Sequence, residues 1–469
     1  MSRRKNPVAA IARMVLVAAL VAIAVFYRRS ELEARSNDGR STSEALISES
    51  DVRSESHTAH TQEYGPGKVY FVTYEPQTEQ NRNWEQTATI WETDAMTGMV
   101  RQLLVIEPYI NEAPREVLPE RELRLLEESK YFPPNISDRA LMSQGLDTIA
   151  LLSEELLLVV THREVREVMV NNAYGYHDLQ ILDLRDGSLT SALILEYHES
   201  LIDETWGCGP AIPLKLGRKF SSNPTTDQFA FWVTTDPEYC GNNTFYNKSY
   251  FVVDYSTSPA QVEVIPSARE LAWSPDGSML AYAELKHTDE NRWSANYVVR
   301  PAALGSEPRI VVQHRVTADF PAPLISWLDS HTIVYQYTDY ETLSERPVWG
   351  AYDLETEQVV FSEELLKGEF LDLDYLYDGR SRLTYRWYDR QLRLMRYTAD
   401  GTLVEARTHP LSPAPGNSRF RQYVPLGPMG DPVLHILKAD MSISDFDLSP
   451  FVPPEHRLSW VVLGPPYSQ

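Results

Sequence analysis

The spacing of polar and apolar positions changes character near residue 67 of this chain. Beyond it lie short runs rich in β-branched and aromatic residues, bounded by Gly, Asp, Asn, Ser and Pro, with almost no helical periodicity. Such runs predict strands separated by turns. One unit, strand, tight turn, strand, recurs along the chain. Its copies are ATIWETDAMTGMVRQLL around Gly98, LQILDLRDGSLTSALIL around Gly187, YFVVDYSTSPAQVEVI around Ser258, YVVRPAALGSEPRIVV around Gly305, VWGAYDLETEQVVFSE around Glu357 and LRLMRYTADGTLVEA around Gly401. The last three turns are spaced by 52 and 44 residues, the length of a four-stranded antiparallel sheet with its connections. A second pattern, an apolar strand, a polar turn and another apolar strand, precedes these hairpins. Its clearest copy covers Glu270 to Glu284, where Ser274, Pro275, Asp276 and Gly277 supply turn chemistry: Pro presets φ, Asp bonds local backbone, and Gly takes the left-handed position. Looser copies begin at Ile149, Lys219, Leu324 and Leu373.

The Trp273-Ser-Pro-Asp-Gly turn followed by Leu280-Ala-Tyr resembles the TolB-type β-propeller repeat, a WD-repeat-like unit. The other copies lack its Pro or Gly, so the resemblance rests on repetition across about residues 68–464. It implies an all-β propeller, a setting outside the membrane and a role in holding other macromolecules; it supplies no catalytic residues. Six hairpins predict six blades of four strands, and residues 418–464, with VLHILKAD and RLSWVVL, add the length of one more, so seven are preferred. A closed ring pairs strands from both chain ends in one blade, because an open sheet edge at the junction would template aggregation.

The first residues read differently. Met14 to Tyr27 is an unbroken apolar run that extends back to Pro7 with Arg13 as its one charge. A helix over residues 7–27 is about 30 Å long and predicts a transmembrane signal-anchor. No small-x-small cleavage triplet follows it. Arg3, Arg4 and Lys5 place the N-terminus in the cytoplasm, and the rest in the periplasm or extracellular space. The predicted organisation is a stub and anchor over 1–29, a Ser- and Glu-rich stalk over 30–67, and the propeller over 68–469. His57 and His60 in the stalk have an H-x-x-H spacing but no surrounding ligands to fix a metal.

With 469 residues, 43% hydrophobic and a net charge of −23, the chain has a foldable, acidic composition. Every acidic residue follows position 30, so the exported part is more acidic still, which argues against nucleic acid and anionic lipid as partners.

Two interruptions of the repeat stand out. Residues 107–145 hold five prolines around REVLPERELRLLEESK, which predicts one short charged helix whose apolar side comes from Leu118, Leu123, Leu125 and Leu126. Residues 196–217 contain Trp206 and Cys208; Cys240 lies in the next long connection, 236–248. Two lone cysteines beside Gly in an exported domain predict a Cys208–Cys240 disulfide. Around them, Trp206, Trp232, Tyr239, Asn242, Asn243, Phe245 and Tyr246 combine flat aromatic faces with amides, which suits a sugar or peptide ligand. No nucleophile elbow, phosphate loop, HExxH or EF-hand spacing occurs, so no catalytic or metal-ligating residues and no cofactor are assigned. Asp372, Asp374 and Asp378 read as an ordinary strand and turn; His162, His177, His198 and His287 would have to converge at one propeller face to form a site. The sequence therefore points first to a membrane-tethered module that binds a protein or polysaccharide partner. The alternative is a propeller lyase or hydrolase acting on polysaccharide or peptide.

Overall fold

The computed structural model describes residues 66–76, 86–127, 139–167, 173–198, 215–234, 248–288, 292–316, 324–338, 347–364, 375–377, 381–388, 391–398, 403–411, 423–426 and 431–464, apart from 96, 109 and 439. The anchor (7–27) and the stalk as far as residue 65 lie outside these residues, as do both cysteines, Gly401, and Asp372, Asp374 and Asp378. Among the described residues no helix is long and apolar enough to cross a membrane.

The strands group into seven antiparallel sheets among the described residues. Strands β1 (Lys68–Tyr74), β2 (Ala88–Asp94) and β3 (Val100–Ile106) belong to the first sheet; β4 (Ile110–Pro114), β5 (Arg139–Leu151), β6 (Leu156–Glu167), β7 (Ala173–Asp183) and β8 (Leu189–His198) form the second. The third holds β9 (Lys215–Ser222), β10 (Gln228–Thr234), β11 (Lys248–Asp254) and β12 (Gln261–Pro266). The fourth holds β13 (Ala268–Trp273), β14 (Met279–Thr288), β15 (Arg292–Pro301) and β16 (Arg309–Val316). The fifth holds β17 (Leu324–Trp327), β18 (Thr332–Thr338), β19 (Pro347–Asp353) and β20 (Gln358–Glu364). The sixth holds β21 (Tyr375–Tyr377), β22 (Ser381–Tyr388), β23 (Gln391–Thr398) and β24 (Leu403–His409). The seventh has β25 (Tyr423–Leu426), β26 (Val433–Lys438) and β27 (Ile443–Asp447), after which β28 (Arg457–Leu463) returns to pair with β1 in the first sheet.

The sheets bury apolar side chains against their neighbours. Separate buried clusters join the first and second sheets, the second and third, the third and fourth, the fourth and fifth, the sixth and seventh, and the seventh and first. The chain is a β-propeller. The inner strands also repeat a polar link: Trp273 Nε1 donates to the Ser221 carbonyl at 3.1 Å, and Trp327 Nε1 donates to that of Ala272 at 3.0 Å. Each indole thus ties the first strand of one sheet to the first strand of the sheet before.

The outermost strands carry a protective device. In five sheets the pairing register of the last strand slips, leaving Leu103, Ala192, Val311, Val360 and Val404 as extra residues. A bulge on an exposed edge twists it away from pairing with another chain. The β12 edge has no such slip and ends at Pro266, which has no N–H to offer.

Turns between first and second strands, and between third and fourth, are tight and lie at one end of the ring. Gly98, Gly187, Gly277 and Gly305 take φ between 67° and 74° there, and Glu357 fills the same left-handed position at 56°. The turns of neighbouring sheets touch: Asn223 Nδ2 donates to the Gly277 carbonyl at 3.0 Å, and Thr225 Oγ1 to that of Asp276 at 3.1 Å. A Cβ on Gly277 would lie 2.1 Å from Thr225 Oγ1 and 2.3 Å from Asn223 Oδ1. Left-handed strain and this overlap add, so Gly277→Ala is expected to lower unfolding free energy by about 2 kcal/mol. Urea denaturation checks it; an unchanged midpoint would mean that the two turns are not in contact.

Candidate functional site

The second sheet reaches further than most. Its strands β5 to β8 are 10 to 13 residues long, against 7 in β1, β2 and β3, and the added length projects at the end opposite the tight turns. Where this extension begins, β5 bulges. Pairing with β6 passes from Leu146↔Thr161 to Thr148↔Val160, which leaves Asp147 as the extra residue. His162 stands opposite Gly145 on one side and opposite His177 of β7 on the other. The bulge re-aims Asp147 toward both rings: its Oδ1 lies 2.7 Å from His162 Nδ1 and its Oδ2 2.7 Å from His177 Nδ1.

An ionised carboxylate only accepts, so both Nδ1 atoms carry protons in this arrangement. Burial works against ionisation of Asp147, but the hydrogen bonds from His162 and His177 outweigh it and hold the carboxyl well below its usual range. Burial likewise disfavours a charged His162, and the bond and charge of Asp147 outweigh it, so this ring titrates above the ordinary histidine value. The side chains keep 26%, 25% and 12% of their exposure for Asp147, His162 and His177, so the cluster is largely sheltered from water. Room for it depends on Gly145: a Cβ there would lie 2.7 Å from His162 Cε1.

The 107–145 interruption is largely woven into this sheet. Ile110–Pro114 pair with the start of β5, and a 3-10 turn at Arg115–Val117 leads into helix α1 (Glu120–Glu127). The sequence predicts a leucine side for this helix; Leu118 just before it is buried, the side chains of Leu125 and Leu126 lie outside the described residues, and within the helix Glu122 is 4% exposed. Tyr176 Oη donates to it at 3.0 Å and Arg163 Nη1 approaches at 3.8 Å. Arg121 lies 5.2 Å over the Tyr176 ring, and Arg124 pairs with Glu196 at 2.5 Å. Burial, together with the charge of Glu122, pushes the Tyr176 hydroxyl up to about 12. Beside it, burial raises the Asp178 carboxyl although Ser191 donates to it at 2.6 Å.

Of the histidines singled out in the sequence, His162 and His177 meet through Asp147; the side chains of His198 and His287 lie outside the described residues. The aromatic and amide group has one described member, Trp232, which is half-buried against the cluster between the third and fourth sheets. Trp206, Tyr239, Asn242, Asn243, Phe245 and Tyr246 lie outside the described residues, as does the predicted Cys208–Cys240 pair. Asp147 and Glu122 escape sequence reasoning; the signal for the first is the even spacing of Asp147, His162 and His177, 15 residues apart on consecutive long strands. Among the described residues no three His, Cys, Asp or Glu side chains are grouped so as to hold a metal ion.

No family model matches the chain, and no curated protein does. Among solved structures it is similar to one of two prolyl endopeptidases, at 12% identity and a TM-score of 0.41 over 82% of this chain and 50% of that one. A putative 6-phosphogluconolactonase from Bacteroides uniformis gives 9% identity and 0.39 over 83% and 96%. The β-propeller domain of the trilobed protease from Pyrococcus furiosus gives 14% and 0.33 over 50% and 71%. The chain thus spans half the length of the prolyl endopeptidase that it resembles, and what it shares with these proteins is the propeller fold.

Proposed function

We infer that the chain is a seven-bladed propeller, tethered to a membrane by residues 7–27, that binds a protein or polysaccharide partner on the far side of that membrane. One observation carries this reading: the two ends of the ring carry different kinds of connection. Gly67 and Gly464 both sit at the tight-turn end, where Ala95 N donates to the Gly67 carbonyl at 3.0 Å and Gly464 N to that of Lys68 at 2.8 Å. A stalk preceding β1 therefore joins the ring at this end.

The strands flanking 77–85, 199–214, 235–247, 317–323, 339–346, 365–374 and 412–422 all open at the opposite end. Long connections carried on a rigid scaffold are where proteins place recognition. The strand ends that carry these connections thus lie at the end of the ring opposite Gly67.

The test is site-specific photocrosslinking of the full chain in its native membranes. Probes at Glu75 and Lys286, both exposed at the long-connection end, are expected to give discrete protein or glycan adducts. Probes at Asp186 and Asp329, exposed at the tight-turn end, are expected to give none. Adducts confined to the tight-turn probes, or equal at both ends, overturn the reading.

A further inference from the structure

We propose that Asp147, His162 and His177 form a proton-operated clasp that grips the projecting end of the second sheet more tightly as the pH falls from about 8 to about 5.5. The clasp joins three consecutive strands at the point where they leave the ring: a bulged residue of β5 accepts from a ring on β6 and a ring on β7, each at 2.7 Å. Beyond this point the extension is joined by β4, which pairs with β5, and by α1, which packs against β6 and β7. The clasp thus ties the three strands to one another where the extension leaves the ring.

The sign follows from which groups titrate. With both rings neutral, each still donates one N–H to the carboxylate, so the clasp exists but is weaker. Protonation of His162 adds a positive charge to a bond whose acceptor is already ionised and strengthens it further. A ring whose value is raised on folding contributes fully below its unfolded value of about 6.5, and the contribution fades as the pH rises through the raised value. Asp147, shifted the other way, contributes above its unfolded value of about 3.9 and loses its part only on further acidification. Between about 5.5 and 8 the histidine sets the direction.

Other charged residues surround the clasp. Glu164 on β6 adds to the pull on the His162 proton. Strand β9, packed against β5, carries Lys215, Arg218 and Lys219, and β28, also against β5, carries Arg457. Helix α1 brings Arg121, Glu122 and Arg124 against β6 and β7, where Arg163 and Asp178 join them. Arg121, Glu122, Arg124 and Arg163 also take part in the Tyr176 network described above.

Hydrogen exchange of the full chain, corrected for intrinsic rates, tests the clasp at pH 5.5 and pH 8. Amides of 141–146 and 161–167 are expected to be protected about three- to tenfold more at pH 5.5, while those of 280–285 in β14 keep a constant ratio. His162→Gln retains a donor without a titrating charge and is expected to abolish the difference, as is Asp147→Asn. Equal protection at the two pH values in the unaltered chain, or a pH difference that survives in His162→Gln, overturns the proposal. Should Asp147→Asn fail to fold, His162→Gln alone decides. The readout involves no binding partner, so it stands or falls independently of the crosslinking result.

Discussion

A chain ended after His456 is expected to lose cooperative folding altogether. The cut removes β28, which supplies the innermost strand of the first sheet and pairs with β1 from Val69↔Leu463 to Tyr74↔Arg457. Leu458, Val462 and Leu463 on it are 4%, 1% and 1% exposed. At about 1.5 to 3 kcal/mol for each large apolar side chain, their burial contributes about 5 to 9 kcal/mol, which matches the whole net stability of an ordinary domain. The loss does not stop there. Strand β1 would be left with Val69, Tyr70, Phe71 and Val72, now fully buried, along an open edge able to pair with another chain. The Thr73 hydroxyl, which accepts from Trp91 Nε1 at 2.9 Å and lies 3.3 Å from His456 Nδ1, would lose the β-strand beside it. Scanning calorimetry and size-exclusion chromatography should show no unfolding transition and aggregated material. A cut after Gly464, which spares β28, should leave the transition in place. Cooperative unfolding of the shorter chain would mean that the ring does not close through its two ends.

That closure was legible before any coordinates, because it follows from topology: sheets repeated in a ring leave one junction, and only the two chain ends can fill it. The hairpin turns were legible for a local reason. A left-handed backbone position selects Gly, as at Gly98, Gly187, Gly277 and Gly305, and the repeat spacing marked Glu357 as standing in the same place without being one. What escaped reading depends on contacts between strands. Asp147 is aimed by a bulge, and a bulge is a property of pairing register that no single strand displays. Glu122 looks like the solvent side of a charged helix; only Tyr176 and Arg163, from two other strands, explain its burial. Trp232, grouped in the sequence with the aromatic and amide residues, lies half-buried against the packing between the third and fourth sheets, and its partners in that group lie outside the described residues.

Removing the carboxylate of Glu263 is expected to destabilise the propeller by about 3 kcal/mol, because it strands a buried cation. Arg300 is 2% exposed. Its Nη2 donates to Glu263 Oε2 at 2.9 Å and its Nη1 to the Ala303 carbonyl at 2.9 Å. The same Oε2 accepts from Gly305 N at 2.9 Å, so one carboxylate on β12 of the third sheet holds both an arginine and a turn of the fourth. Glu263→Ala leaves the guanidinium with a single described acceptor and leaves the Gly305 N–H without this one. Because Glu263 retains 27% of its exposure, water can reach part of the gap, which sets the expected loss at the lower edge for a broken buried pair. Arg300→Met should be milder, since it removes the charge together with the need for a partner. In the double variant, Glu263→Ala should add little to Arg300→Met, giving a coupling of about 2 kcal/mol in a double-mutant cycle read by urea denaturation. Additive losses would show that the two residues stabilise their sheets separately, and that this pair does not couple the third sheet to the fourth.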